Sequence, residues 1–585
     1  MKTVYVAFPV QRGSKRFLIE KGRRWSLVEH ILLDAVCEAP KTAANLSEQS
    51  ALPRRVVVEA FIRLMHAGWV EIVNTTEGPA FRATPLGVVR SDMEALPAVT
   101  STKPKWRGFA IEQITGGAFR SRELEIRTHG QLPVANENQA VVQLPPSPLH
   151  LSVDLEDVFS AIEGEDELVV GVDRSPEKLA DRFAVVTVRG SQIEGLPTRA
   201  NPALRNLILA RAAEAVTQDP VDTTAEPGAP AAPVAEPESD VMSMSSAVFD
   251  HEDLIIDGQA HADLLQRLLK NARERIIIHS TFMNDAATGA LLPDLMQAVA
   301  RGARVDLLWG QDEVGSSTSS SRAAAQRLRE AIAAAGRSDA IRIHPFSTES
   351  HAKAIVADNG RGGWVATVGS SNWLSSDLAS FETSIRLRDR RLIAELTRKI
   401  GTMAKGRPGI WNEFAMELTL LARQIADGPQ PKGRTAKMKL LFEADHAEVV
   451  LAARDRAKAR IFALSHRIGI AARPVTILPT LAALAASNLS AEFYYGRSTG
   501  PLSGVGTADL TRELSAKGVA IKPVYRPRLH AKVFGWDDDF IAVSSLNWLS
   551  VDPADSRHGR EIGVLLEAPK IADHFLRVFQ QARLD

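Results

Sequence analysis

His351-Ala352-Lys353, then Asp358, Gly369-Ser370-Ser371-Asn372 and Glu382, returns later in the chain as His530-Ala531-Lys532, then Asp537, Ser544-Ser545-Leu546-Asn547 and Glu561. Histidine and lysine are two residues apart in both copies, and lysine and aspartate five. His351 to His530 and Glu382 to Glu561 are both 179 residues, and each asparagine precedes Trp-Leu-Ser. Agreement at so many positions is a duplication, not chance. The flanking sequence repeats with it. An amphipathic stretch at 262–272, an apolar run at 275–280, a helical pattern at 292–300 and a strand at 305–309 match a helix at 448–457, a strand at 460–465 and a helix at 478–486. This is the rhythm of a mixed or parallel sheet flanked by helices, so the fold class is α/β in two pseudo-symmetric halves.

The residue types suit one chemistry. On a strand, residues i and i+2 share a face, so each His-x-Lys presents an imidazole and an ammonium together. The ammonium favours the neutral, nucleophilic imidazole. Lys353, Lys532, the Asn372 and Asn547 amides and the Ser370 and Ser545 hydroxyls are donors for phosphate oxygens. Glu382 and Glu561 are candidates to fix the imidazole tautomers. Asp358 and Asp537, past a strand and turn, read as structural supports.

The doubled pattern resembles the phospholipase D superfamily, with residues 248–585 covered in two halves. The resemblance implies two α-β-α sandwich halves meeting at one cleft. It implies that one histidine attacks phosphorus through a phosphohistidine while the other protonates the leaving oxygen, with His351 the usual attacker and His530 the acid. Two departures are visible: Ser544 stands where the family prefers glycine, and the gap from Asp358 to Gly369 is longer, with a glycine-rich turn.

No metal and no cofactor are expected. A lysine two residues from each histidine repels a cation, and no further ligands stand at zinc spacing. Gly-Ser-Ser-Asn lacks the pattern of an ATP-binding loop. His279, His344, His466 and His558 read as ordinary core or surface residues.

The remainder of the chain bounds the setting. The 70 Lys+Arg and 70 Asp+Glu cancel, which excludes a chain basic throughout. The lone Cys37 excludes an internal disulfide, and no apolar run reaches the length of a membrane span. A cytoplasmic, multidomain protein is expected. Residues 1–110 hold 16 basic and 10 acidic residues. Their order of helix, helix, helix and hairpin resembles a winged helix-turn-helix. Its third helix, opened by Pro53, would carry Arg54, Arg55 and Arg63 to nucleic acid, beside a basic run from Arg12 to Arg24. Residues 111–211 read as a small mixed α/β region without assigned chemistry. Residues 212–246, rich in Pro, Ala and Glu, read as a disordered linker. The two halves then occupy 247–430 and 431–585.

The expected function is a metal-independent nuclease, an endonuclease acting on DNA in preference to RNA, with bacterial anti-phage defence or DNA processing as its setting. Arg467, Arg473, Arg497, Arg526 and Arg528 add basic charge near the second motif. The alternatives are a phospholipase or phosphatidyltransferase, for which no interfacial anchor is visible, and a non-catalytic DNA-binding regulator. Both motifs lie in one chain, so the active site needs no dimer; a homodimer through residues 1–211 is compatible.

Overall fold

Strand Arg275–Ser280 is buried along its whole length. Ile276 and Ile278 face one apolar core and Ile277 another. A strand apolar on both faces must be covered on both, and that sets the layers of the catalytic half of this computed structural model. The structure describes residues 3–23, 25–76, 78–93, 96–97, 99–136, 139–147, 155–164, 166–173, 178–217, 242–311, 321–376, 378–404, 413–502, 505–552 and 560–584. It divides into two units, residues 1–223 and 224–585.

The second unit holds two sheets. In the first, Arg275–Ser280 pairs in parallel with Arg304–Trp309 and antiparallel with Ala354–Asp358, which pairs onward with Trp364–Gly369 and Thr383–Leu387. In the second, Arg460–Ile468 pairs in parallel with Ser490–Ser498 and antiparallel with Val533–Trp536, which continues to Phe540–Ser544 and Ile562–Glu567. The path is the same twice. One face of each sheet lies under its own helices, Gly258–Asn271, Asp285–Ala300 and Ser321–Ala334 for the first, Asp445–Arg456, Leu478–Ala486 and Val505–Ser515 for the second. The other two faces share a single core with helices Arg390–Met403, Glu413–Asp427 and Ile571–Leu584.

The halves are less separable than a boundary at residue 430 implies. Strand Ser245–Val248 pairs with Thr435–Phe442, so the start of the first half is an edge of the second sheet. The expected linker is also narrower. Helix Pro202–Thr217 enters it from one side and this strand from the other; residues 218–241 lie outside the described residues, as does His558.

In the first unit the expected boundary at 110 does not hold. Strand Thr3–Arg23 pairs with Val99–Glu112, Lys178–Arg189, Glu167–Val172 and Gln139–Gln143. Strand Thr3–Arg23 and the strands between Val99 and Glu194 thus make one sheet, and the helical segment is inserted into it. The basic run is part of that strand, so alternation divides it between two faces: Lys15 is buried, and Arg16 pairs with Asp173. Arg24 is outside the described residues. The inserted segment contains helices Leu27–Asp34, Ala43–Ser50 and Arg54–His66, then hairpin Val70–Thr75 and Gly78–Ala83. Ser26 and Glu29 form a capping box, and Thr42 caps the second helix, each satisfying amides a helix start leaves open. Leu32, Leu46, Val57, Phe61 and Leu64 close its core.

Candidate active site

Each His-x-Lys stands immediately before its strand rather than inside it: Ala354–Asp358 follows Lys353, and Val533–Trp536 follows Lys532. The chain is extended there, and the alternation still holds. Ala352 and Ala531 are fully buried on one side, while histidine and lysine turn to the other. Bridges Ser350 to Arg560 and Phe381 to Leu529 stitch each motif to the opposite half. The two motifs therefore meet at one site.

The carboxylates cross. His351 Nδ1 lies 3.1 Å from a Glu561 oxygen, and His530 Nδ1 lies 2.8 Å from Glu382 Oε1. Each half's glutamate holds the other half's histidine. A carboxylate at Nδ1 keeps the proton there and leaves Nε2 to react. The glutamates are themselves fixed: Ser370 donates to Glu382 and Ser545 to Glu561, while each serine oxygen accepts a backbone amide, from Thr383 at 2.9 Å and Ile562 at 3.0 Å. This corrects the expectation that these hydroxyls face the phosphate. Both are fully buried and their protons are committed to carboxylates.

The lysines lie deep. Lys353 Nζ donates to Thr281 Oγ1 at 2.6 Å and to the His351 carbonyl at 2.8 Å. Lys532 Nζ donates to the His530 carbonyl at 2.8 Å and sits 3.4 Å from His530 Nε2. Burial lowers both ammonium pKa values, Lys532 to about 8, with Arg467 adding repulsion at each. Burial also lowers both histidines, the lysines adding to the effect and the glutamates opposing it; His530 falls to about 4. Glu382 and Glu561 are held at about 2, against their own burial, by the facing histidines and lysines. An anion entering this site would meet two buried ammonium groups. Asn372 Oδ1 and Asn547 Oδ1 are buried without a hydrogen-bond partner, in equivalent places beside it.

These shifts carry a sign. Buried His351, His530, His279, His261 and His446 bind protons less readily than in the unfolded chain. The histidine contribution to stability is therefore full above about pH 6.5, the ordinary histidine value, and falls as pH drops toward 4; the two glutamates add a loss below about 4.5. Tm should decline below pH 6.5 in calorimetric scans, and the lowered lysine pKa values add a rise with pH above about 8; a Tm that rises on acidification below pH 6.5 would contradict these environments.

Asp358 and Asp537 are away from the cleft chemistry. The Asp358 carboxylate accepts the backbone amides of Arg273, Glu274, Arg275 and Gly360 at 2.8–3.1 Å, and Asp537 accepts those of Lys458, Ala459 and Arg460. Each pins the start of the strand beside its motif. Asp358→Ala should cost about 2–4 kcal/mol by orphaning the amides gathered on a buried carboxylate, that of buried Arg275 among them; Asp537→Ala should cost less, because Asp537 is itself only half-buried. Chemical denaturation of the two variants checks the order.

Three features go beyond the sequence reading. His466, expected to be ordinary, packs edge-on against His530 with ring centroids 4.8 Å apart, and its Nδ1 meets the Leu529 carbonyl. His279 and His344 are satisfied core residues, as expected, each with two partners. The other two features are a buried pair, His261 and His446, each tilted against the tryptophan after a motif asparagine, Trp373 and Trp548, with ring centroids 5.5 Å apart. His261 Nε2 bonds Ser384 Oγ at 2.8 Å, and His446 Nε2 bonds Ser544 Oγ at 2.7 Å. Ser384 is the strand partner of Gly369, and Ser544 that of Gly563. The departure at Ser544 is thus a swap: the same hydroxyl comes from the neighbouring strand. A Cβ on Gly369 would lie 2.2 Å from Ser384 Oγ, so both strands cannot carry a side chain there. The signal is present in the sequence as two helical histidines ahead of two motifs, but their spacing of 185 residues hides it.

Among the arginines, Arg54 and Arg55 are exposed at the start of their helix. Arg63 is not placed for phosphate: Glu29, nearly buried, takes its guanidinium at 3.1 Å, and Glu59 lies at 3.6 Å. Arg473 is likewise engaged by Glu513. Among the described residues no group of three or more His, Cys, Asp or Glu could hold a metal ion.

A family model described as "Cardiolipin synthase, PLD-like domain" matches residues 265–404. No curated protein matches the chain. Among solved structures, phosphatidylserine synthase of Haemophilus influenzae is similar at 12% identity over 59% of this chain and 89% of that one, with a TM-score of 0.42. The phospholipase D family member Nuc of Salmonella typhimurium is similar at 18% identity over 25% and 93%, with a TM-score of 0.21. Yeast tyrosyl-DNA phosphodiesterase is similar at 10% identity over 51% and 84%, with a TM-score of 0.33.

Proposed function

We propose that this chain, which belongs to the phospholipase D superfamily of phosphodiesterases, is an endonuclease that hydrolyses DNA in preference to RNA. The observation that carries the reading is the crossed pair of His–Glu contacts around two buried lysines. A phosphodiester entering between them brings negative charge beside both lysines and raises their lowered pKa values. His351 Nε2 attacks phosphorus, and the bond from phosphorus to the leaving oxygen breaks. His530, its pKa raised by the bound anion, gives that oxygen a proton. Water then attacks the phosphohistidine, passes its proton to His530, and the phosphorus–nitrogen bond breaks. Lys353 and Lys532 stabilise the charge that gathers on the equatorial oxygens. The assignment of His351 to attack and of His530 to protonation follows the resemblance of the doubled motif.

The nucleic-acid reading is supported by the inserted helical segment, whose element order is that of a winged helix-turn-helix and whose Arg54 and Arg55 are exposed. No helix among the described residues is long and apolar enough to cross a membrane. An anti-phage role is part of the same proposal. The test is incubation of the full chain with circular DNA, RNA of matched length and phospholipid vesicles, each in excess EDTA. DNA should be cut, RNA more slowly, and the vesicles left intact, because the lysines rather than a metal carry the positive charge. Hydrolysis of the vesicles alone would overturn the nuclease reading, and activity lost in EDTA but restored by magnesium would overturn the histidine mechanism.

A further inference from the structure

The site does not end at His530. From His530 and Glu382 a cavity of about 650 Å³ runs between helices Gly258–Asn271 and Asp285–Ala300. It exists because the facing positions are small: Ala262 on one helix, Ala287 and Ala290 on the other. Leu265, Leu269 and Leu291 line it as well and are themselves largely buried. Asn284 fixes the wall by donating to the Ser375 carbonyl at 2.8 Å, next to the motif asparagine's loop. Among the described lining residues, Arg528 is the one cation, two residues from His530, and Asp294 lies about 15 Å along its helix from Asn284.

That lining decides what the cavity can take. It is within the roughly 300–1,000 Å³ range of sites that enclose one small molecule. It offers apolar and amide surface, not the row of cations that a phosphate backbone needs, and Asp294 repels one. Basic charge lies elsewhere: Arg467 and Arg497 are register partners on adjacent strands of the other half, and both act on groups of the catalytic cluster.

We propose that this cavity is the leaving-group subsite and takes one unpaired, uncharged nucleoside, so that the enzyme acts on single strands. The inference rests on the nuclease reading for the word nucleoside. The position beside His530 is the side on which the leaving oxygen is protonated. A base paired and stacked in a duplex would have to be extruded to enter, at a cost of a few kcal/mol, which is about 100-fold or more in rate; a base in a single strand pays little of that.

Two arms test it on the full chain. In the first, Ala287→Trp, and Ala290→Trp as a second plug, are assayed with bis(4-nitrophenyl) phosphate, whose leaving group is a small uncharged aromatic. KM should rise about tenfold, the worth of burying part of one aromatic ring, while the inhibition constant of inorganic phosphate stays within about twofold. An unchanged KM in both variants, or an equal loss of phosphate binding, would overturn the subsite. In the second arm, circular single-stranded DNA should be cut about 100-fold faster than relaxed duplex of the same sequence; equal rates would overturn single-strand selection. Failure of any DNA to be cut, with the nitrophenyl arm as expected, would instead strike the nuclease reading and leave the leaving-group subsite standing.

Discussion

His351→Ala should lose turnover by at least about 10⁴-fold and lose the covalent adduct with it, because the variant has no nitrogen to attack phosphorus. His530→Ala should lose about 10²–10⁴-fold on DNA, the worth of general acid–base help, because the leaving oxygen is a poor leaving group without a proton. The two variants part company on a nitrophenyl phosphodiester, whose leaving group departs unprotonated. There His530→Ala should form the phosphohistidine and then stall, since no base activates water. A labelled, acid-labile, base-stable phosphohistidine should accumulate on His530→Ala and be absent from His351→Ala. The reverse pattern would exchange the roles. No adduct on either, with an active wild type, would point to direct attack by water.

Glu561→Gln should injure His351, and Glu382→Gln should injure His530, although each pair is drawn from opposite halves of the chain. Glutamine keeps the volume but removes the charge that opposes the lysines, and it can offer Nδ1 an amide N–H where a carboxylate oxygen stood. The imidazole then turns to the wrong tautomer, a lesion worth up to about 10⁴-fold in a comparable histidine–carboxylate pair. Glu561→Gln should therefore slow adduct formation. Glu382→Gln should let the adduct form from the nitrophenyl substrate and delay its hydrolysis. Rapid quenching with a labelled substrate reads both. If each glutamate instead served the histidine of its own half, the two phenotypes would be exchanged, so the experiment tests the crossing itself.

The catalytic unit is legible in the sequence because its signal is chemical and doubled. A His-x-Lys pair, an asparagine and a glutamate in fixed order need no packing argument to be seen. What the linear order cannot carry is which residue faces which. The partners His351 and Glu561 are 210 residues apart, and their contact follows only from two sheets sharing one core. The serines illustrate the same limit. Ser370 and Ser545 have the right type to meet phosphate, but burial against a carboxylate decides otherwise, and burial is a tertiary property. The first unit misleads for a different reason. Burial alternates along residues 12–19, as in a half-buried strand, but Lys15 takes a buried place and Leu18 an exposed one, so the residue types hide the period, and closeness in sequence to the helices attaches these residues to the wrong neighbour. Their partners in Val99–Glu112 and Lys178–Arg189 lie far along the chain, and nothing local announces them. Arg63 has its place on a helix that the apolar spacing locates correctly; its pairing with Glu29 depends on how two helices cross.

The crossed glutamates also say something about ancestry. Half of this unit, taken alone, would have a histidine without its carboxylate and a carboxylate without its histidine. It could be completed only by a second copy turned about a two-fold axis, each subunit lending its glutamate to the other, which is the self-complementary contact of an isologous dimer. Joining two such copies in one chain turned a concentration-dependent encounter into a permanent one. It also freed the copies to diverge, since a symmetric dimer must repeat every change on both sides of the cleft. The exchange of glycine and serine between strands, Thr281 standing beside one lysine while His466 stands beside the opposite histidine, and a cavity at His530 are the marks of two copies no longer obliged to match.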